Sequence, residues 1–198
     1  MRAAQTKDTL YTVADRLFTE RGFDGVSIDA IVEAAGLSKG AFYVHFESKD
    51  ALVSALVTDY VNKVDMDYQA FLDSLPPGQS ATDTLLALVG RIFEVIEQQI
   101  GFSRIRVLYR TQLMNPGHVQ SASGYSRGLY AMLGNVIALG VSRGEFKVPL
   151  PEEELARHMM LAMRGLTYEW CLRYPDYPLK ERAVAHFRLL LDGIRREG

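Results

Sequence analysis

The sequence predicts an all-helical chain of about nine helices, in which a small N-terminal three-helix unit leads through a long helix into a larger helical bundle. Three observations predict it. Apolar residues recur at three- and four-residue spacing through most of the chain. Serine caps and glycine or proline breakers separate these periodic stretches. No stretch alternates at period two for long enough to form a sheet. At 198 residues, with 48% hydrophobic and 23% charged side chains, the chain is large enough and apolar enough to bury its own core.

The first helix is expected over about Ala4–Arg21, where Leu10, Val13, Ala14, Leu17 and Phe18 form one stripe. Gly22 closes it, and Phe23 can fold back onto Phe18. A second helix runs from Ser27, whose hydroxyl can cap free amides, to Ala35, with Ile28, Ile31, Val32 and Ala35 on its buried face. Gly36 takes the sharp turn that a side chain would disfavour. Ser38 caps a third helix too short to be stable alone, so Phe42 and Phe46 must anchor it from beneath. Lys39, Gly40, Tyr43 and His45 are left facing outward. Two short helices joined by a glycine turn, the second one presented, is the layout of a helix-turn-helix.

A fourth helix follows Ser48 and continues to about Leu72 through Leu52, Leu56, Tyr60 and Val64. It starts beside the presented helix and ends in the other half of the chain, so movement of that half should be felt at its first turn. The segment SLPPGQSA (74–81) is the clearest break. Further helices are expected over about Thr82–Ile100, Phe102–Leu113, Val119–Arg143, Glu152–Tyr174 and Leu179–Arg196. They are divided by Gly101, Asn115-Pro116-Gly117, Pro149 with Pro151, and Pro175 with Pro178. The last two are apolar on more than one side. Leu155, Met159, Ala162, Leu166 and Trp170 line one, widened by Met160, Met163 and Thr167, and Val184, Phe187, Leu190, Leu191 and Ile194 line the other. Such helices fit either a thick intramolecular core or a surface shared with a second subunit.

Taken together, Ala14, Leu17, Phe18, Gly22, Phe23, Ser27, Ile31, Ala35 and Gly36, continuing through Ser38, Lys39, Gly40, Phe42, Tyr43, His45, Phe46, Lys49 and Leu52, resemble the N-terminal domain of the TetR family of bacterial transcriptional regulators. The resemblance covers roughly the first quarter to third of the chain. It implies a DNA-binding domain at 1–50 and a ligand-binding and dimerisation domain at 51–198. It further implies a homodimer on a palindromic double-stranded operator, most simply a repressor released by a small-molecule effector. Carried over residue by residue, the DNA surface is Ser27, Ser38, Lys39, Gly40, Ala41, Tyr43, His45 and Lys49. The two lysines, at the first turns of their helices, suit phosphate contact. In the family the last two helices pair with their symmetry mates, which turns Leu155, Met159, Ala162, Leu166, Val184, Phe187 and Leu191 into expected interface residues.

Charge speaks less clearly. The whole chain carries −2, and residues 1–50 hold six basic side chains (Arg2, Lys7, Arg16, Arg21, Lys39, Lys49) against eight acidic ones. A basic patch, the usual footprint of nucleic-acid binding, is therefore not supplied in bulk. Distribution has to supply it, with Asp15, Asp24, Asp29 and Glu33 turned away from DNA.

The C-terminal part is expected to enclose a ligand pocket. Candidate lining residues are Phe93, Phe102, Arg106, Tyr109, Arg110, Tyr125, Met163 and Trp170, each of which also reads as plain core or surface. Arg104, Arg106 and Arg110 could hold a carboxylate or phosphate, or could simply pair with Glu94 and Glu97. No cofactor or metal is expected: His118, His158 and His186 lack ligand spacing, and Cys171 stands alone. The opening MRAAQTKDTL lacks an apolar core segment, and the uncharged, largely apolar run between Arg127 and Arg143 is short of the ~18 residues a membrane span needs. A cytoplasmic location is the default expectation. An all-helical enzyme finds no support in a nucleophile–base pair, phosphate loop or metal cluster. A helical ligand carrier without DNA binding is the remaining alternative.

Overall fold

The computed structural model describes residues 2–114, 127–147 and 150–194. Among these lie nine α-helices: α1 (Arg2–Arg21), α2 (Ile28–Ala35), α3 (Lys39–His45), α4 (Lys49–Asp73), α5 (Ala81–Glu94), α6 (Phe102–Met114), α7 (Arg127–Ser142), α8 (Glu152–Arg173) and α9 (Leu179–Asp192). A π-helical segment, Val95–Ile100, continues α5, and the described residues include no β-strand. No described helix is long and apolar enough to cross a membrane. The breaker Asn115-Pro116-Gly117, His118, Tyr125 and the expected helical start at 119–126 lie outside the described residues.

The chain divides into two compact units. One comprises residues 1–60 together with α6 from Ser103 onward; the other comprises residues 61–102 and 124–198. In the first unit, Leu10, Ala14, Leu17 and Phe18 of α1 are buried along with Ile31 and Val32 of α2, Phe42 and Phe46 around α3, and Leu52, Val53 and Val57 of α4. Phe23 does fold back, its ring 5.6 Å from that of Phe18. Tyr11 reaches across to Phe46 at 5.4 Å. Its hydroxyl also bonds the Asp59 carboxylate on α4; burial, with that carboxylate, pushes the phenol up to about 12.

In the second unit, α5 lies along α9 and against α7, and α8 packs on α7 and more lightly on α9. Phe93 meets Phe187 at 6.5 Å, and Leu85, Leu88, Ile92, Met163 and Leu191 are buried around them. The π-helical turn, closed by Gly101 N–H donating to the Ile96 carbonyl at 2.9 Å, has a structural consequence. It carries Glu97 to the start of α9, where its carboxylate accepts from the backbone N–H groups of Leu179 (2.8 Å) and Lys180 (3.2 Å). That helix begins after Pro178 and has no side-chain cap of its own, so Glu97 supplies one from another helix. Glu94 beside it pairs with Lys180 and Arg91, which hold its carboxyl below the usual range. Neither glutamate is spent on the arginines of α6, contrary to one sequence expectation.

The last two helices also depart from expectation in which apolar stripe turns outward. Met159, Phe187 and Leu191 are in the core of the second unit, and Leu155, Ala162, Leu166 and Val184 are only half-buried. The outward stripe is instead Leu161 (62% exposed), Gly165, Tyr168 and Leu172 (64%) on α8, with Leu189 (72%) and Leu190 on α9. Both stripes sit at helical spacing in the sequence. Packing on α5 and α7 chose the one carrying Met159, Met163 and Trp170 for the interior.

Candidate nucleic-acid interface

The site is built by caps and two buried rings. Ser27 and Ser38 hold extended backbone and accept hydrogen bonds from Ala30 N–H (3.1 Å) and Ala41 N–H (3.2 Å), so each starts its helix without help from a neighbour. Between them Gly36 adopts a left-handed conformation, φ +65°, with its N–H returned to Glu33 and the Leu37 N–H to Val32 at 2.8 Å. This turn points α3 away from α2. A seven-residue helix has little intrinsic stability. Burial of Phe42 and Phe46, whose rings are 5.8 Å apart, holds it in place, at roughly 2–3 kcal/mol per ring.

With those rings inward, geometry fixes what faces out. Stepping ~100° per residue, Lys39, Tyr43, Gly40 and Val44 share an arc of roughly 140° that begins beside Phe46 and ends directly opposite the two rings, and all four are exposed. Tyr43 is 54% exposed and braced edge-on by Phe42 at 5.5 Å. Val44 is 78% exposed, an apolar side chain on the same solvent-facing side as Gly40. Sequence reasoning missed Val44; its place one turn beyond Gly40 was the available signal. Gly40 has an ordinary negative φ, and a Cβ there would meet only the Ser38 hydroxyl at an unstrained 3.7 Å. The fold does not require glycine at this position. Ala41 and His45 flank the arc and are half-buried.

The two lysines diverge. Lys39 stays on the surface and pairs with Asp29 of α2, Nζ to Oδ1 2.7 Å, which raises its ammonium pKa chiefly through that hydrogen bond. Lys49 turns inward. Its Nζ donates to the carbonyls of Phe23 (2.9 Å) and Val26 (2.7 Å) and lies 4.0 Å over the Phe23 ring. Two of its three donors are thus committed to stapling the α1–α2 connection to the start of α4, so its reading as a phosphate contact gives way to a structural one.

The acidic balance of the first fifty residues also resolves. Arg104 of α6 donates to Asp15 (2.7 Å) and to the Thr19 hydroxyl (2.8 Å), Arg106 pairs with Asp24 (2.9 Å), and Arg110 pairs with Asp50 while facing the Phe23 ring. Three of the eight acids are neutralised by a helix distant in sequence. Arg106 and Arg110 thus have acidic partners, and together with Tyr109 they belong to the first unit. In the second unit Phe93 and Met163 are core, while Phe102, Trp170 and Tyr174 form an aromatic cluster in which Phe102 stacks on Tyr174 at 4.0 Å. The expected pocket residues therefore divide between the two units. The described residues contain no group of three or more acidic, histidine or cysteine side chains able to hold a metal ion.

Residues 10–56 match the family described as "Bacterial regulatory proteins, tetR family". The chain is 30% identical over 196 residues to the HTH-type transcriptional repressor KstR2 of Mycolicibacterium smegmatis, covering 96% of this chain and 91% of that protein. It is 26% identical over 202 residues to the HTH-type transcriptional regulator AcrR of Shigella flexneri, covering 96% and 89%. Among solved structures, the fold is similar to Thermus thermophilus FadR, a TetR-family repressor in complex with lauroyl-CoA, with a TM-score of 0.71 and 19% identity over 97% of each chain. Bacillus subtilis FadR in complex with stearoyl-CoA superposes with a TM-score of 0.67 and 18% identity, covering 94% of this chain and 98% of that one.

Proposed function

Because this chain belongs to the TetR family of bacterial regulatory proteins, and is a transcriptional regulator on that ground, we propose that it binds a palindromic operator as a homodimer and represses transcription until a small-molecule effector releases it. The observation that carries the proposal is the arc of Lys39, Tyr43, Gly40 and Val44 held clear of the core by Phe42 and Phe46. An α-helix of this width enters the major groove. There Gly40 permits close approach, Tyr43 bonds a backbone phosphate, and Val44 meets a thymine methyl. Ser27 and Ser38, already engaged as caps, would contribute mainly by fixing backbone amides near the phosphates.

A monomer with this few cations binds weakly, so two copies are needed, with their presented helices about one DNA turn apart. The exposed Leu161, Gly165, Tyr168 and Leu172 stripe with Leu189 supports pairing through α8 and α9. The effector acts through its preference for one state. A preference of ~100-fold, about 2.7 kcal/mol per site, empties much of an operator population. The continuous α4, from Lys49 to Asp73, offers a route by which the C-terminal half reaches the reading unit. Acyl-CoA esters are the first probes, since the two FadR proteins hold lauroyl- and stearoyl-CoA.

Selection of bound fragments from a random duplex pool tests the reading. Enrichment of a palindrome by the wild type, and its loss in Tyr43→Ala with an unchanged dimer in sedimentation, is the expected result. No enrichment at low salt without any effector favours a ligand carrier instead.

A further inference from the structure

Across residues 25–48, the entire helix-turn-helix and its flanks, Lys39 is the sole lysine or arginine. Its ammonium is already occupied. Asp29, in the first turn of α2, reaches over to it at 2.7 Å, and both side chains remain on the solvent side, 59% and 65% exposed. Nothing in the packing forces this contact. Two well-hydrated side chains that meet on a surface contribute little to stability, so the pair is poorly explained as a structural prop. Its placement is more telling: an anion supplied by the protein sits on the cation that faces outward beside Tyr43 and Gly40, where a phosphate oxygen would otherwise bind. Asp29 lies in the first turn of α2, where the helix dipole favours a negative side chain.

We propose that Asp29 is an internal counter-anion that sets the strength and salt response of DNA binding by holding Lys39 until a backbone phosphate replaces it. The inference rests on the reading of this arc as the DNA surface and adds a residue that no phosphate contact would reveal. The exchange has two physical consequences. Swapping one anion for another releases fewer condensed counterions than a bare lysine would, so the salt dependence is shallower. The displaced carboxylate then remains within a few ångströms of a phosphate, and the repulsion lowers affinity. Phosphate contacts carry no base information, so the penalty applies to any duplex and affects operator and random DNA alike.

Asp29→Asn keeps the shape and removes the charge. In the full-length protein it is expected to tighten binding to the selected operator and to a random-sequence duplex by about 3–10-fold per half-site. It is also expected to steepen the slope of log affinity against log salt by up to about 0.9 per half-site. Asp29→Glu, which can still reach the lysine, is expected to behave as wild type. Both Asn effects are expected to vanish in a Lys39→Met background, which ties them to the pair. Equal or weaker binding by Asp29→Asn with an unchanged salt slope, or the same gain without Lys39, overturns the inference. Absence of duplex binding by the wild type at every salt concentration instead defeats the underlying reading of the surface, and this inference with it.

Discussion

Replacing Lys49 with methionine separates the structural role of this residue from the phosphate contact its position suggests. Methionine keeps the apolar stem and can still lie against the Phe23 ring, so packing changes little. What is lost is the pair of charge-assisted hydrogen bonds to the carbonyls of Phe23 and Val26, at 2.9 and 2.7 Å. Each such bond contributes roughly 1.5–3 kcal/mol where it is shielded. Lys49 is only half-buried, so water recovers part of this, and a net loss of about 2 kcal/mol is expected. For a chain of this size that corresponds to a fall in Tm of roughly 4–8 °C. The assay pairs thermal unfolding, followed by far-UV circular dichroism, with operator titrations over a salt series well below the transition. The expected outcome is the lowered Tm with a salt slope like the wild type's. An unchanged Tm accompanied by a slope reduced by about 0.9 per half-site would mean that Lys49 reaches a phosphate after all, and the staple argument would be wrong.

Gly40→Ala is expected to raise stability by up to about 0.5–1 kcal/mol, because a helix favours alanine over glycine and the added Cβ meets nothing strained, yet to weaken operator binding at least tenfold; tighter or equal binding removes the case for close backbone approach. Leu172→Glu places a charge on the outward stripe and is expected to yield folded monomers in sedimentation, whereas Phe187→Glu, buried against Phe93, is expected to unfold the second unit. Folded monomers from Phe187→Glu, or an intact dimer from Leu172→Glu, would contradict this assignment of faces. Tyr11 has a folded pKa of about 12 against an ordinary 10.0, so its contribution to stability is complete below pH 10 and declines as pH rises towards 12. Tyr11→Phe is expected to flatten the decline in stability over that window, and an identical alkaline profile for both proteins would refute the assignment.

Much of the DNA-facing unit is legible in the sequence because local rules decide it. Ser27, Gly36 and Ser38 each act through hydrogen bonds or backbone angles within a few residues, so their types alone place the turn and both helix starts. Phe42 and Phe46, four apart, determine which side of α3 is inside and therefore that Gly40 is outside. Less legible is what each surface charge does. Lys39 and Lys49 occupy equivalent first-turn positions, yet one meets Asp29 and the other two carbonyls, because the α1–α2 connection folds back under α4 and α3 does not. The arginines of α6 offered an equally ambiguous signal: their acidic partners on α1, the following turn and α4 are some sixty to ninety positions away.

Helix periodicity, caps and breakers thus determined by themselves that this protein is helical, where its helix-turn-helix lies, and which of its side chains could be presented to a duplex. Those are short-range properties, fixed by hydrogen bonds and spacing inside each segment. Only tertiary packing decided which apolar stripe of α8 and α9 was consumed by the core and which cations were spent on internal partners. A stripe or a charge reads the same in the sequence whether it meets protein or solvent, and the difference depends on neighbours brought together by the whole fold.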